Sequence, residues 1–273
     1  MTETLSLAVF GDPVEHSRSP QIHALFGRQL GLAVAYRRIR SSIPELPDKV
    51  AEFRALGGIG ANLTVPLKHA GLRQCQQLDQ AARQARAVNT LHLKDGGWHG
   101  YNTDGAGLLL DLERLAINLN GARILIIGAG GATAGILGPL LAAAPSRICL
   151  LNRTPDKAVA LAERFAHRGP IQAAGLQDGP PETGFDLLIQ ATSLGHDGGI
   201  PDIHPQWLVP GATIYDLNYG PAHQSLADWC QNHGFNCHDG LGMLVGQAAL
   251  AFEIWTGRRP EMAPVLEELG NED

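Results

Sequence analysis

Short apolar runs alternate with stretches of helical spacing from one end of the chain to the other, the pattern of an α/β protein built on largely parallel sheets. Residues 5–10 read as a first strand that ends in the turn signal Gly11-Asp12-Pro13. Pro20 opens a helical stretch to about residue 30, and residues 33–39 make a second strand. A helix over about 45–56 stops at Gly57-Gly58, and the run 59–64 leads into Val65-Pro66, where a helix cannot be centred. Thr64 and Lys68 therefore flank a strand-to-helix junction. Residues 88–93 and 98–101 predict a hairpin around Lys94-Asp95-Gly96-Gly97, and Asp104 beyond it is expected to N-cap a helix through residue 115.

The character changes after Asn118-Leu119-Asn120-Gly121, where Arg123-Ile124-Leu125-Ile126-Ile127 is a nearly continuous apolar strand bounded by glycine. Further strands are predicted at 148–151, 185–191 and 212–217, with helices over about 155–167 and 222–233 between them. An alanine-rich apolar stretch, 241–255, predicts a long helix that packs back on the first domain. The expected division is a first domain of residues 1–104 plus 241–273 and a second of residues 105–240.

Composition narrows the function classes. A formal net charge of −6 with no dense lysine or arginine run argues against a nucleic-acid or anionic-membrane surface, so any bound anion must be held locally. The four cysteines show no metal-ligand pairing and are too sparse for a disulfide scaffold. None of the eleven histidines forms the i, i+4 pair of a zinc helix, so no metal site is expected. The start, Met1-Thr2-Glu3-Thr4, has no signal-peptide character and no run reaches membrane-spanning length, so the expectation is a cytoplasmic protein.

Gly128-Ala129-Gly130-Gly131-Ala132-Thr133 follows the buried strand directly and precedes a helical stretch, the setting of a dinucleotide-binding fingerprint. Glycine lets the backbone approach a pyrophosphate, and the helix N-terminus offers free N–H groups and positive partial charge. The third fingerprint glycine is replaced by Thr133. The next strand ends in Asn152-Arg153-Thr154, without the carboxylate that grips ribose hydroxyls in NAD enzymes. Arg153 and Lys157, four residues on, would pair with a 2′-phosphate, which makes NADP the preferred cofactor.

Four polar clusters in the first domain fall at element ends: Ser17-Arg18-Ser19-Pro20, 62–68 with the sequence Asn-Leu-Thr-Val-Pro-Leu-Lys, Ala87-Val88-Asn89-Thr90, and Asn102-Thr103-Asp104. Each alone has a dull explanation as a cap or turn. In this order, followed by the glycine loop and by Asp239-Gly240-Leu241-Gly242-Met243-Leu244-Val245-Gly246-Gln247, they make the chain resemble the shikimate dehydrogenase family over nearly its whole length.

The resemblance implies an N-terminal α/β substrate domain, a Rossmann NADP-binding domain, and reversible reduction of 3-dehydroshikimate to shikimate, in a monomer or homodimer. On matching positions it implies that Ser17 and Ser19, with Thr64 and Tyr219, hold the substrate carboxylate. It gives Asn89, Asp104 and Gln247 the ring hydroxyls, and Lys68 and Asp104 the catalytic proton chemistry. Gly128, Gly130, Gly131, Ala132, Asn152, Arg153, Thr154, Lys157, Leu217 and Gly240 complete the implied cofactor set.

The chain departs from the family pattern at Arg86, Ala134, Gln190, Asn218 and Gln224-Ser225. Asn218 and Gln224-Ser225 lie close to where nicotinamide and substrate are expected to meet. They fit a paralogue acting on quinate or an aminated shikimate. A protein that binds NADP and a polyol acid as a regulator, with little catalysis, is the alternative from another class.

Overall fold

Leu7, Ala8, Val9 and Phe10 are consecutive and all buried, so strand β1 (Leu5–Gly11) must have protein on both faces. The computed structural model, which describes residues 4–270, places it inside a six-stranded sheet. Residues 1–3, on which the amino-terminal reading mostly rests, lie outside the described residues, as do 271–273. After β1 come α1 (Ser19–Leu30), β2 (Val34–Arg40), α2 (Leu46–Ala55), β3 (Gly60–Leu63), β4 (Gln77–Leu78), α3 (Gln80–Ala85), β5 (Thr90–Lys94), β6 (Gly97–Tyr101) and α4 (Asp104–Arg114). The sheet order is β2-β1-β3-β5-β6-β4.

This first sheet is mixed rather than largely parallel. β1 runs parallel to β2 and β3, but β5 is antiparallel to both β3 and β6. The reason is local: Asp95 (φ 51) and Gly96 (φ 78) form a two-residue turn with both residues left-handed, which forces a hairpin between β5 and β6.

The second sheet consists of β7 (Arg123–Ile127), β8 (Arg147–Asn152), β9 (Ile171–Gly175), β10 (Phe185–Gln190), β11 (Leu208–Asp216) and β12 (Asn236–His238). Its helices are α5 (Gly131–Ala142), α6 (Pro155–Phe165) and α7 (Gln224–His233). Every pairing is parallel and the order is β12-β11-β10-β7-β8-β9, the doubly wound Rossmann arrangement in which strand order reverses between β7 and β10. The chain ends in α8 (Leu241–Thr256) and α9 (Ala263–Gly270).

Two compact units result, one comprising Met1–Leu108 and Leu244–Asp273, the other Leu109–Met243. In the first, glycine sets how closely α8 approaches α4. A Cβ on Gly107 would lie 2.4 Å from the Gln247 backbone nitrogen, and one on Gly246 would lie 2.7 Å from the Gly107 carbonyl oxygen. In the second, the buried Asp111 carboxylate accepts from the Tyr215 hydroxyl at 2.7 Å and from Arg114 Nε at 2.7 Å. No described helix is long and apolar enough to cross a membrane, and all four cysteines are free. Among the described residues no group of three or more acidic, histidine or cysteine side chains is arranged to hold a metal.

His23 of α1 is fully buried in the first unit, its ring stacked on Tyr36 at 4.5 Å and flanked by Trp255 and Phe252. Burial holds it down to about 3, against only a weak opposing effect of the Asn62 side chain, and neither ring nitrogen has a hydrogen-bond partner of good geometry. The unfolded chain therefore takes up a proton below its ordinary value of 6.5 that the folded chain refuses. Stability is full above pH 6.5 and declines as pH falls from there toward 3, by roughly 1.4 kcal/mol per unit from this group. Melting temperatures measured between pH 7 and pH 4.5 should fall less steeply in His23→Phe, which keeps the stacking and removes the proton site. Parallel slopes in the two proteins would rule His23 out as the cause.

Candidate active site

The loop after β3 delivers Lys68, and the first residue of α4 delivers Asp104. Lys68 Nζ lies 2.6 Å from Asp104 Oδ2, with the lysine side chain 19% and the aspartate 5% exposed. Asp104 is not the N-cap expected of it. Gly107 N donates to the Thr103 carbonyl, which makes Thr103 the cap residue, and Asp104 N donates to Asn102 Oδ1. Placed one residue inside the helix, the Asp104 carboxylate is free to face Lys68 instead of the helix's own amides.

Asn89 is the hub. Its Nδ2 donates to Asp104 Oδ1 at 2.8 Å, to Thr103 Oγ1 at 2.9 Å and to Gln247 Oε1 at 3.3 Å, while its Oδ1 accepts from Thr103 N at 2.9 Å and Thr90 Oγ1 at 2.9 Å. Gln247 reaches it because the glycine contact between α4 and α8 leaves room for nothing wider. Lys68, Asn89, Asp104 and Gln247 are thus one hydrogen-bonded group.

Ser17 and Ser19 sit side by side at the start of α1, whose first residue is Ser19, hydroxyl to hydroxyl at 3.1 Å, and Arg38 braces them by donating twice to the Ser17 carbonyl, at 2.7 and 3.0 Å. Thr64, half-buried, closes β3, its N–H donating to the Phe10 carbonyl. The polar chain also runs through residues that the sequence did not single out for a role. Tyr36 donates to Asn62 Oδ1 at 2.7 Å, Asn62 Nδ2 donates to Thr90 Oγ1 at 3.1 Å, and Thr90 donates to Asn89. The available signal was a buried Asn and Thr inside otherwise apolar strands, where each must find a partner.

In the second unit, Gly128 has φ +115, and a Cβ there would lie 2.8 Å from the Ala191 carbonyl oxygen, so the chain itself demands this glycine. Gly130 differs: its φ is −91 and an added Cβ would meet nothing within 4 Å. It is the N-cap of α5 with no side-chain cap bond, and the space beside it leaves room for a pyrophosphate at the helix N-terminus. Thr133, in the place of the third glycine, is buried and donates its hydroxyl to the Gly128 carbonyl at 2.9 Å, holding the loop together.

Asn152 Oδ1 accepts from Ala129 N at 3.2 Å, and its Nδ2 donates to the Thr154 carbonyl, so its amide ties the glycine loop to the end of β8. Arg153, Thr154 and Lys157 are exposed beside that loop. Gly131 and Ala132 form the first turn of α5. Leu217 N donates to the Gln190 carbonyl, and Gly240 packs against the Leu217 carbonyl so closely that a Cβ would lie 2.4 Å from it. Tyr219, half-buried, follows in the same loop. Gln224 and Ser225 bond to Asp228 and to the Gly198 carbonyl.

A shikimate dehydrogenase (NADP(+)) of Pseudoalteromonas atlantica is 45% identical to this chain over 263 residues, covering 95% of this chain and 96% of that protein. The chain belongs to the shikimate dehydrogenase family. Its substrate-binding domain profile matches residues 9–91, the shikimate/quinate 5-dehydrogenase profile 111–196, and the shikimate 5'-dehydrogenase C-terminal domain profile 240–269. The crystal structure of the Thermus thermophilus family member in complex with NADP(H) and shikimate is 34% identical, with a TM-score of 0.85, covering 95% of this chain and 96% of that one. A 5-ketofructose reductase of Gluconobacter sp. strain CHM43 is 27% identical, with a TM-score of 0.87, covering 99% of each chain.

Proposed function

We infer that this family member is an NADP-dependent shikimate dehydrogenase, interconverting 3-dehydroshikimate and shikimate. The observation that carries the reading is the Lys68–Asp104 pair at 2.6 Å, tied through Asn89 to Gln247. The unit of Met1–Leu108 and Leu244–Asp273 takes the substrate, and Leu109–Met243 takes NADP. When bound, the reduced cofactor supplies hydride to the ketone carbon.

The chain's own residues do the rest. Ser17 and Ser19 present adjacent hydroxyls to the substrate carboxylate, with Thr64 as a third donor. Asn89, Asp104 and Gln247 offer both donors and acceptors to ring hydroxyls, and a substrate lacking one hydroxyl leaves a partner unsatisfied at about 1–3 kcal/mol. Lys68 gives its proton to the oxygen that gains negative charge, and Asp104 holds the ammonium in place and charged. In the opposite direction Lys68 accepts that proton. The cradle at Gly128, Gly130 and Gly131 with Ala132 takes the pyrophosphate, and Arg153, Thr154 and Lys157 surround the 2′-phosphate.

The test is a substrate panel. Purified protein with NADP and, separately, shikimate, quinate and an aminated shikimate is followed at the reduced-nicotinamide absorbance band, and with NADPH and 5-ketofructose in the other direction. The highest kcat/KM should fall to shikimate. NADP binding with no reduction by any of these acids would instead mark a regulator, and a preference for quinate would move the substrate while leaving the chemistry.

A further inference from the structure

Two of the positions at which the second unit departs from the family pattern, Gln190 and Asn218, meet on one buried carboxylate. Asp216, the last residue of β11, has no exposed surface. Its Oδ1 accepts from Asn218 N at 3.0 Å, Asn218 Nδ2 at 3.0 Å and Gln190 Nε2 at 3.3 Å, and its Oδ2 accepts from His223 Nδ1 at 3.1 Å. Gln190 and Asp216 are cross-strand partners in the β10–β11 register.

The same donors staple a second loop. Asn218 Nδ2 donates to the Thr192 carbonyl at 3.0 Å and Gln190 Nε2 to the same oxygen at 3.3 Å, while Thr192 N donates to Gln190 Oε1. The exits of β10 and β11 are therefore locked to one another through side chains. They are also locked to the glycine loop, since Ala191 N donates to the Ile127 carbonyl and Gly128 packs on the Ala191 carbonyl. These are the C-terminal ends of strands at the point where the order of the doubly wound sheet reverses, which is where such sheets take their ligands.

A carboxylate without solvent is costly unless charge and hydrogen bonds compensate it. His223 supplies the charge. Burial would lower it, but the bonds to Asp216 and to the Cys237 thiol, itself beside Cys230, outweigh that and raise it to about 10. Burial lowers His238 of β12, and the charge on His223 adds to that lowering.

We propose that Asp216, Gln190, Asn218 and His223 form a positioning cluster that fixes the backbone of residues 191–193 and 217–219 and so sets how the nicotinamide end of the cofactor is held. This rests on the NADP reading above. None of the four is a catalytic residue; they act through the two loops. Such a cluster gives the side chains at 190 and 218 a shared partner in Asp216.

The experiment compares Asp216→Asn, His223→Gln, the double variant and Asn218→Val with the unaltered protein. Fluorescence titration gives Kd for NADPH independently of turnover, steady-state kinetics gives kcat and both KM values, and thermal melting gives the folded fraction. Asp216→Asn should weaken NADPH at least fivefold and lower kcat at least tenfold, with KM for shikimate changed less than threefold. Because Asp216→Asn and His223→Gln break the same bond, the double variant should lose less than the two single losses combined. Asn218→Val should show the same split on a smaller scale. Unchanged NADPH Kd and kcat in the folded single variants, or losses that simply add in the double variant, would overturn the cluster. An unaltered protein that binds NADPH but oxidises none of the acids would instead defeat the functional reading, and the Kd values would still judge the cluster.

Discussion

Replacing Lys68 by alanine is expected to lower kcat for shikimate oxidation by a hundredfold or more while leaving NADP binding within about twofold, the loss typical of a missing acid–base group. The geometry explains why no neighbour substitutes. The only cation bonded to the buried Asp104 carboxylate among the described residues is Lys68, at 2.6 Å. On the proposed reading its removal takes away the proton source, and among the described residues it leaves the buried carboxylate with the Asn89 amide, at 2.8 Å, as its side-chain partner. Lys68→Arg separates two roles for the lysine. A guanidinium keeps the charge but does not release a proton near neutral pH. A proton-donor role predicts that Lys68→Arg stays within tenfold of alanine, whereas recovery to near the unaltered rate would mean that Lys68 acts only by its field. A near-unaltered kcat in Lys68→Ala would remove the lysine from the chemistry altogether. Asp104→Asn should fall between, with a higher KM for shikimate, because it loses an acceptor as well as the ion pair.

What the chain disclosed in advance divides along physical lines. The strands 123–127, 148–151 and 185–190 are each centred on buried aliphatic residues, among them 124–127, Leu150-Leu151 and 187–189, and such stretches announce themselves. β4, β9 and β12 did not, because they are sheet-edge strands, β4 and β12 only two and three residues long and β9 with little buried apolar surface. Their identity comes from pairing with a neighbour that is itself non-local. The same distinction governs the site. Lys68, Asn89, Asp104 and Gln247 could be gathered by type and order, but the bonds that make Asn89 their hub depend on how β5, α4 and α8 meet.

The two networks left unread are both cross-strand facts. Asn62 faces Thr90 in the β3–β5 register, and Gln190 faces Asp216 in the β10–β11 register. Neither pair is adjacent in sequence, and nothing short of the register brings them together. Asp104 shows the opposite error: local propensity named it a cap, and the tertiary partner Lys68 claimed it one residue further on.

Arg153→Ala should raise KM for NADP by roughly ten- to a hundredfold while moving KM for NAD less than about threefold, since a charge-assisted bond is worth roughly 1.5–3 kcal/mol and only NADP carries the 2′-phosphate. Arg153 stands exposed at the exit of β8, and the residue before it, where an NAD enzyme usually carries its ribose-binding carboxylate, is Asn152. Asn152 spends its amide on Ala129 N and the Thr154 carbonyl, so it is placed to hold the glycine loop rather than to grip ribose hydroxyls. Lys157 lies in the first turn of α6, on the same side as the strand exit, and Lys157→Ala should give the same selectivity change on a smaller scale. Because both cations are solvent-exposed, added salt should weaken NADP more than NAD in the unaltered protein, and that difference should shrink in Arg153→Ala. Equal losses for the two cofactors would mean that Arg153 serves the adenine or the fold, and the preference for NADP would then have to come from Thr154 and Lys157, since the glycine cradle treats the two pyrophosphates alike.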